Sequence, residues 1–206
     1  MHINVTHEEC KRCGRCCVKG GPVLHTSDRV LVVDGILSPV DLLTIRRGEP
    51  GFDPCHNKVV MLESELIKVR GRDKIGTCKF YDPQRYACLI YDKRPMECRL
   101  LKCWDTKELE AVFMRDLLIR RDLVPPGTAL FELIERHDLV FDLRKITEIL
   151  LNSSDSCMGN TSIINKLIEE ERCFRQKVIR ELSIGEAELD FFFGRPLEEV
   201  VAVLGP

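Results

Sequence analysis

Eight cysteines stand in two short stretches. The first reads Cys10-Lys11-Arg12-Cys13-Gly14-Arg15-Cys16-Cys17, and the second spans Cys78, Cys88, Cys98 and Cys103. A thiolate is a soft, charged donor that binds zinc, iron and iron–sulfur clusters. Two cysteines in a C-x2-C pair can curl onto one metal or one cluster, and Gly14 permits the tight backbone such a loop needs. Clustering at short spacing is what ligation requires, whereas incidental core thiols scatter along a chain.

Cys10, Cys13 and Cys16 have the spacing that begins the bacterial ferredoxin signature. Cys17 then follows at once, where that signature has three residues before Cys-Pro. Adjacent side chains diverge in most backbone conformations. Cys16 and Cys17 are therefore expected to serve different metals, or one of them none.

The elements that must position the second stretch are a hairpin and a helix start. Segments 79–81 and 86–91 flank the turn Asp82-Pro83-Gln84-Arg85 and read as strands. A hairpin there can point Cys78 and Cys88 to one side. Pro95 opens a short helix through about Leu101, bringing Cys98 to the same place. Cys103 lies five residues after Cys98, about 140° round an unbroken helix. It can join only if the helix ends before it or a second metal lies there. Lys11, Arg12, Arg15, Lys19, Lys93, Arg94, Arg99 and Lys102 interleave the cysteines. They suit donation to sulfur and lowering of thiol pKa values, or else a solvated basic face.

The chain has 206 residues, 44% of them hydrophobic, enough for one domain with a real core or a small domain plus an appendage. The cysteine count is 11, an odd number, and MHINVTHEEC has no apolar signal-peptide core, so a disulfide framework is disfavoured. No apolar run approaches the roughly 20 residues of a membrane span. The expected setting is soluble and cytoplasmic. Formal net charge is -2, from 31 basic and 33 acidic residues, unlike a dedicated nucleic-acid binder. The expected partners are metal ions and a protein docking on the helical back half, with no nucleic acid or membrane.

The fold class read from the pattern is α+β, predominantly helical. A metal-organised, cysteine-rich front half with a small hairpin or sheet precedes a helical back half. Residues 1–124 form the cysteine-cluster domain, and 125–206 a helical region that can pack as part of the same domain. Helices are predicted over 28–34, from Ser38-Pro39 to about Arg47, over 105–121, over 128–151 as one helix or a kinked pair, from 160 to about Leu182, and over 186–193 and 196–204. Strands are predicted over 59–62 and 65–70, after a loop at 49–58. Cys55 and His56 read more readily as a turn-loop thiol and a surface histidine than as ligands, and ligation is the lesser reading for His25, which follows the first cluster. Cys157 is expected as a surface thiol in a loop and Cys173 as a packing residue in a helix. Glu169-Glu170-Glu171 and Arg120-Arg121-Asp122 read as solvated helix faces, and Phe191-Phe192-Phe193 as a docking element for the core.

The two blocks together resemble the CxxCxxCC, or YkgJ-type, cysteine-cluster family, described as zinc- or iron-chelating. Its C-x2-C-x2-C-C start is Cys10, Cys13, Cys16 and Cys17. Its C-x-F/Y hairpin is Cys78-Lys79-Phe80. Its C-x-I-Y-x-x-R-P-x-x-C-R is Cys88-Leu89-Ile90-Tyr91-Asp92-Lys93-Arg94-Pro95-Met96-Glu97-Cys98-Arg99. The resemblance covers roughly residues 8–103 and implies seven ligand cysteines; Cys103 is added by proximity. Some relatives are known as flagellin lysine methylases, so the resemblance implies that activity as one possibility. No CxxxCxxC signature of radical enzymes and no usual Gly-rich nucleotide loop accompanies it. Three functions compete. One is an iron–sulfur protein with a redox or catalytic role, with 4Fe–4S favoured over other iron. The second is a zinc-stabilised interaction module. The third is metal storage or delivery. The reading leans to iron–sulfur.

Overall fold

The computed structural model describes Cys10 and residues 12–53, 56–73, 75–151 and 157–204, without the side chains of 157–160. Three two-stranded antiparallel sheets lie in the front half. Strand β1 (Leu42–Ile45) and strand β4 (Leu66–Val69) pair with Leu42 opposite Val69 and Ile45 opposite Leu66. The hairpin of β2 (Pro50–Asp53) and β3 (Lys58–Met61) lies between them in sequence. The short strands β5 (Tyr81–Asp82) and β6 (Ala87–Cys88) set Tyr81 opposite Cys88.

The helix expected over 39–47 is a correction: one 3-10 turn, Pro39–Asp41, leads straight into β1. Asp41 reaches back to Ser38 at the start of this turn, its carboxylate accepting from the Ser38 amide and hydroxyl (2.9 and 2.6 Å). Beyond that turn, β-branched Thr44 and Ile45 suit a pleated strand. Leu42 and Thr44 share the buried face, and the Thr44 hydroxyl donates to the Phe191 carbonyl (2.6 Å). A ladder to β4 and a satisfied buried hydroxyl outweigh local propensity. The loop expected at 49–58 likewise contributes β2, which pairing with β3 stabilises.

Helix α1 (Arg29–Val33) and helix α2 (Met96–Leu100) fall where expected. Helix α3 (Lys107–Val112) is far shorter than the predicted 105–121. Met114 and Asp116 take left-handed conformations (φ 56° and 45°) and turn the chain back. Fully buried Leu118 then donates its amide to the Leu24 carbonyl (3.0 Å). The back half holds α4 (Ala129–Val140), α5 (Leu143–Leu151), α6 (Cys157–Leu182), α7 (Leu189–Phe193) and α8 (Leu197–Leu204). Helices α4 and α5 are the kinked pair. Cys157 opens α6 and is not in a loop as expected.

One apolar core joins front and back. Leu24, Leu37, Leu42, Ile67 and Tyr81 share it with Phe131, Val178 and buried Phe191, Phe192 and Phe193. A second cluster of Leu143, Ile146, Ile164, Leu197 and Val200 unites α5, α6 and α8. Two runs expected to be solvated are corrected. Arg120 is buried between the carboxylates of Glu65 and Asp138 and donates to the Phe192 carbonyl (2.7 Å). Glu171 is buried too, accepting from Arg175 and from His137 Nε2 (3.2 Å). Charges enter the core here because each meets a partner. No helix among the described residues is long and apolar enough to cross a membrane.

Candidate metal centre

The first cysteine loop is shaped by two left-handed residues, Arg12 (φ 53°) and Gly14 (φ 74°). The turn closes through the Val18 amide on the Gly14 carbonyl (3.0 Å), and a 3-10 turn, Cys17–Lys19, follows. Gly14 is needed for space as well as conformation. A Cβ there would lie within 2.5 Å of the hydroxyl end of buried Tyr81. The motif's glycine is thus the socket for an aromatic from the second block.

The two blocks touch through backbone. The Cys78 amide donates to the Cys17 carbonyl (2.7 Å). The Tyr81 amide returns to the Cys78 carbonyl (3.0 Å), and β6 holds Cys88 opposite Tyr81. Buried Asp28 fixes α2, accepting from the Met96 amide (2.8 Å) at its start and from the His25 amide (3.1 Å). Glu97 of α2 accepts from the Val23 amide (2.7 Å). These bonds place Cys98. Helix α2 stops at Leu100, and Leu101 is extended (φ -68°, ψ 106°), so Cys103 escapes the far side of a helix.

All eight cysteines named above, Cys10, Cys13, Cys16, Cys17, Cys78, Cys88, Cys98 and Cys103, line one cavity of about 680 Å³. Val69, Phe80, Ile90, Leu101 and Trp104 supply apolar wall, while Arg12, Arg15, Lys19 and Arg94 bring positive charge. Cys10, Cys13, Cys16 and Cys103 are exposed, Cys17, Cys88 and Cys98 half-buried, and Cys78 buried. Among the described residues, no three His, Cys, Asp or Glu side chains are yet gathered closely enough to hold a metal ion. The donor set fits a soft metal in its chemistry and in its shared cavity; the sulfurs must still draw together.

Cys16 and Cys17 depart from the expected divergence, with their sulfurs 3.8 Å apart. Two thiolates on one tetrahedral metal, at about 2.3 Å each, span about that edge. The two sulfurs are within hydrogen-bonding reach of each other. Hydrogen bonding from the Cys17 side chain, against a burial penalty and with help from the Cys17 amide and Arg94, lowers Cys16 to about 6. The Cys17 thiol is pushed up by the same bond, by burial and by the charge of Cys16. Burial foremost, then neighbouring cysteine charge, raises Cys98, and burial also raises Cys78. Metal binding must overcome that cost by replacing protons with a cation.

The histidines take other roles. His25 is buried, its Nδ1 donating to the Arg115 carbonyl (2.8 Å) and its Nε2 facing Glu97 (3.5 Å). His56 is on the surface against Asp53 (2.7 Å), and Cys55 lies outside the described residues. Cys173 is exposed, its thiol directed at Glu169 (3.7 Å), and not packed as expected. Sequence reasoning missed the supporting roles of buried Asp28 and half-buried Glu97, which their acidic types did not suggest. It also missed Tyr91, which the motif contained. The Arg12 and Arg94 guanidiniums lie 4.1 and 3.6 Å from the Tyr91 ring centroid.

These features match a known class. The profile of the CxxCxxCC family, described as a putative zinc- or iron-chelating domain, matches residues 9–114. The chain belongs to that family, and metal chelation is the function its domain description carries. No curated protein and no solved structure gives a significant match.

Proposed function

We propose that residues 1–124 hold a polynuclear metal–thiolate centre, iron–sulfur by preference, with a redox or catalytic role, and that residues 125–206 brace it. The observation that carries this reading is the gathering of eight thiols from both blocks on one apolar cavity. Arg15 and Lys19 on the wall offset excess thiolate charge, and the apolar wall favours a shielded centre. Cys10, Cys13 and Cys16 with one cysteine of the second block are the 4Fe–4S ligands this reading favours, leaving the others for a further metal. Lysine methylation enters only by family likeness.

One observation favours zinc. The 3.8 Å separation of Cys16 and Cys17 suits two thiolates on a single metal, while a 4Fe–4S cluster takes one thiolate per iron. Anaerobic purification with metal analysis, sulfide assay and absorption spectra separates the two. A brown protein with stoichiometric iron and acid-labile sulfide supports iron–sulfur. A colourless protein carrying zinc alone overturns it.

A further inference from the structure

The cavity holds more positive charge than its carboxylate can answer. Arg12 and Arg94 approach the same Tyr91 ring, and among the described residues neither side chain pairs with a carboxylate. The Arg94 Nε–H is buried without a hydrogen-bond partner. Glu97, the carboxylate on this wall, is engaged by the Val23 amide and His25. Two guanidiniums on one ring, one of them with an unspent buried donor, suit an anion at the ring's edge.

Metal-bound thiolates are one candidate anion, and the oxyanion of a second ligand is the other. The lining decides between them. The cavity, of about 680 Å³, is walled by apolar side chains as well as thiols. That volume lies in the roughly 300–1,000 Å³ range of organic-ligand pockets, which are mostly apolar with a few convergent polar groups. Leu101, Trp104 and Leu109 supply the apolar part. We propose that, beside its metal, the cavity binds a small carboxylate- or phosphate-bearing molecule, with the oxyanion held by Arg12 and Arg94. The proposal rests on the metal reading for the neighbouring thiols, so metal content is scored separately.

The test titrates the full chain, as purified with its metal, with succinate and with inorganic phosphate by calorimetry. Ionic strength is matched with sodium chloride, and metal per chain is measured on the same samples. Saturable binding of either anion is expected, and the tighter one names the headgroup. Arg94→Gln weakens it by about tenfold or more at unchanged metal content, as expected for a lost charged hydrogen bond. Arg136→Gln, at an exposed position on α4, leaves it unchanged. The proposal is overturned if neither anion binds at millimolar concentration, if Arg94→Gln binds like the parent, or if Arg94→Gln loses metal, which would assign its charge to the thiolates. Should Arg94→Gln fail to fold, exposed Arg12→Gln decides on the same criteria. A parent chain without metal that still binds anion through these arginines refutes the metal reading and leaves the anion site standing.

Discussion

Gly14→Ala is the sharpest probe of how the metal loop is built. Two costs add. A left-handed φ of 74° in a residue with a Cβ costs about 1–2 kcal/mol. The new methyl group then meets the hydroxyl end of Tyr81, a core residue pinned on β5 opposite Cys88, so it cannot swing aside freely. Overpacking of this kind costs about 1–3 kcal/mol. Together the loss is about 2–5 kcal/mol, a large part of a typical domain's stability. Gly35→Ala is the matched control: φ there is 71°, and an added Cβ would meet nothing within 4 Å, so only the backbone cost applies. Urea unfolding followed by circular dichroism gives the difference, and metal per chain gives the consequence for the site. The expected result is a much lower midpoint and depleted metal for Gly14→Ala against a small shift and full metal for Gly35→Ala. Equal midpoints with full metal in both would refute the Tyr81 socket.

Further outcomes follow from other parts of the molecule. Cys13→Ser should lose at least half of its metal per chain, while Cys173→Ser, exposed on α6, should match the parent by elemental analysis. Arg120→Ala should cost about 3–5 kcal/mol in urea unfolding, because Glu65 and Asp138 lose their shared cation and the Phe192 carbonyl its donor. Burial pushes Glu171 and Asp138 upward, but a hydrogen bond from His137 with the charge of Arg175 at Glu171, and the nearby His137 with the charge and hydrogen bond of Arg120 at Asp138, outweigh it and leave both carboxyls below their ordinary values. The unfolded chain therefore binds more protons in acid. This stability is fully present above the ordinary carboxylate range and is lost as pH falls through the lowered values. Glu171→Gln should flatten that acid limb in melting temperature against pH.

The sulfur pattern was legible because ligation chemistry constrains both residue type and spacing. It pointed to all eight cysteines that share the cavity, and it named the condition for Cys103, that its helix end early. Pro95 gave the second block its helix start, whereas the strand expected over 86–91 is only Ala87–Cys88, the chain turning into a 3-10 turn at Tyr91–Lys93. What escaped was tertiary. Ser38-Pro39 is a sound helix start, yet the edge offered by β4 turned the following residues into a strand. Arg120 and Glu171 look like surface charges, since pairing with Glu65, Asp138, His137 and Arg175 is long-range and leaves no local periodicity. The separation of Cys16 from Cys17 depends on the helical backbone of Cys16 (φ -70°, ψ -40°) and on side-chain rotamers, which residue types alone do not specify.

Thr44 on β1 and Arg120 both donate to backbone carbonyls of α7, and its three phenylalanines fill the core beneath the sulfur-bearing loops. The ribosome makes this plug some 90 residues after the last of the eight thiols. Throughout that interval of synthesis the nascent front half has its cysteines but not the α7 side chains that complete its core. Metal capture and oxidation therefore compete for the thiols before the chain is released, and the timing of metal supply relative to translation becomes part of how this protein matures.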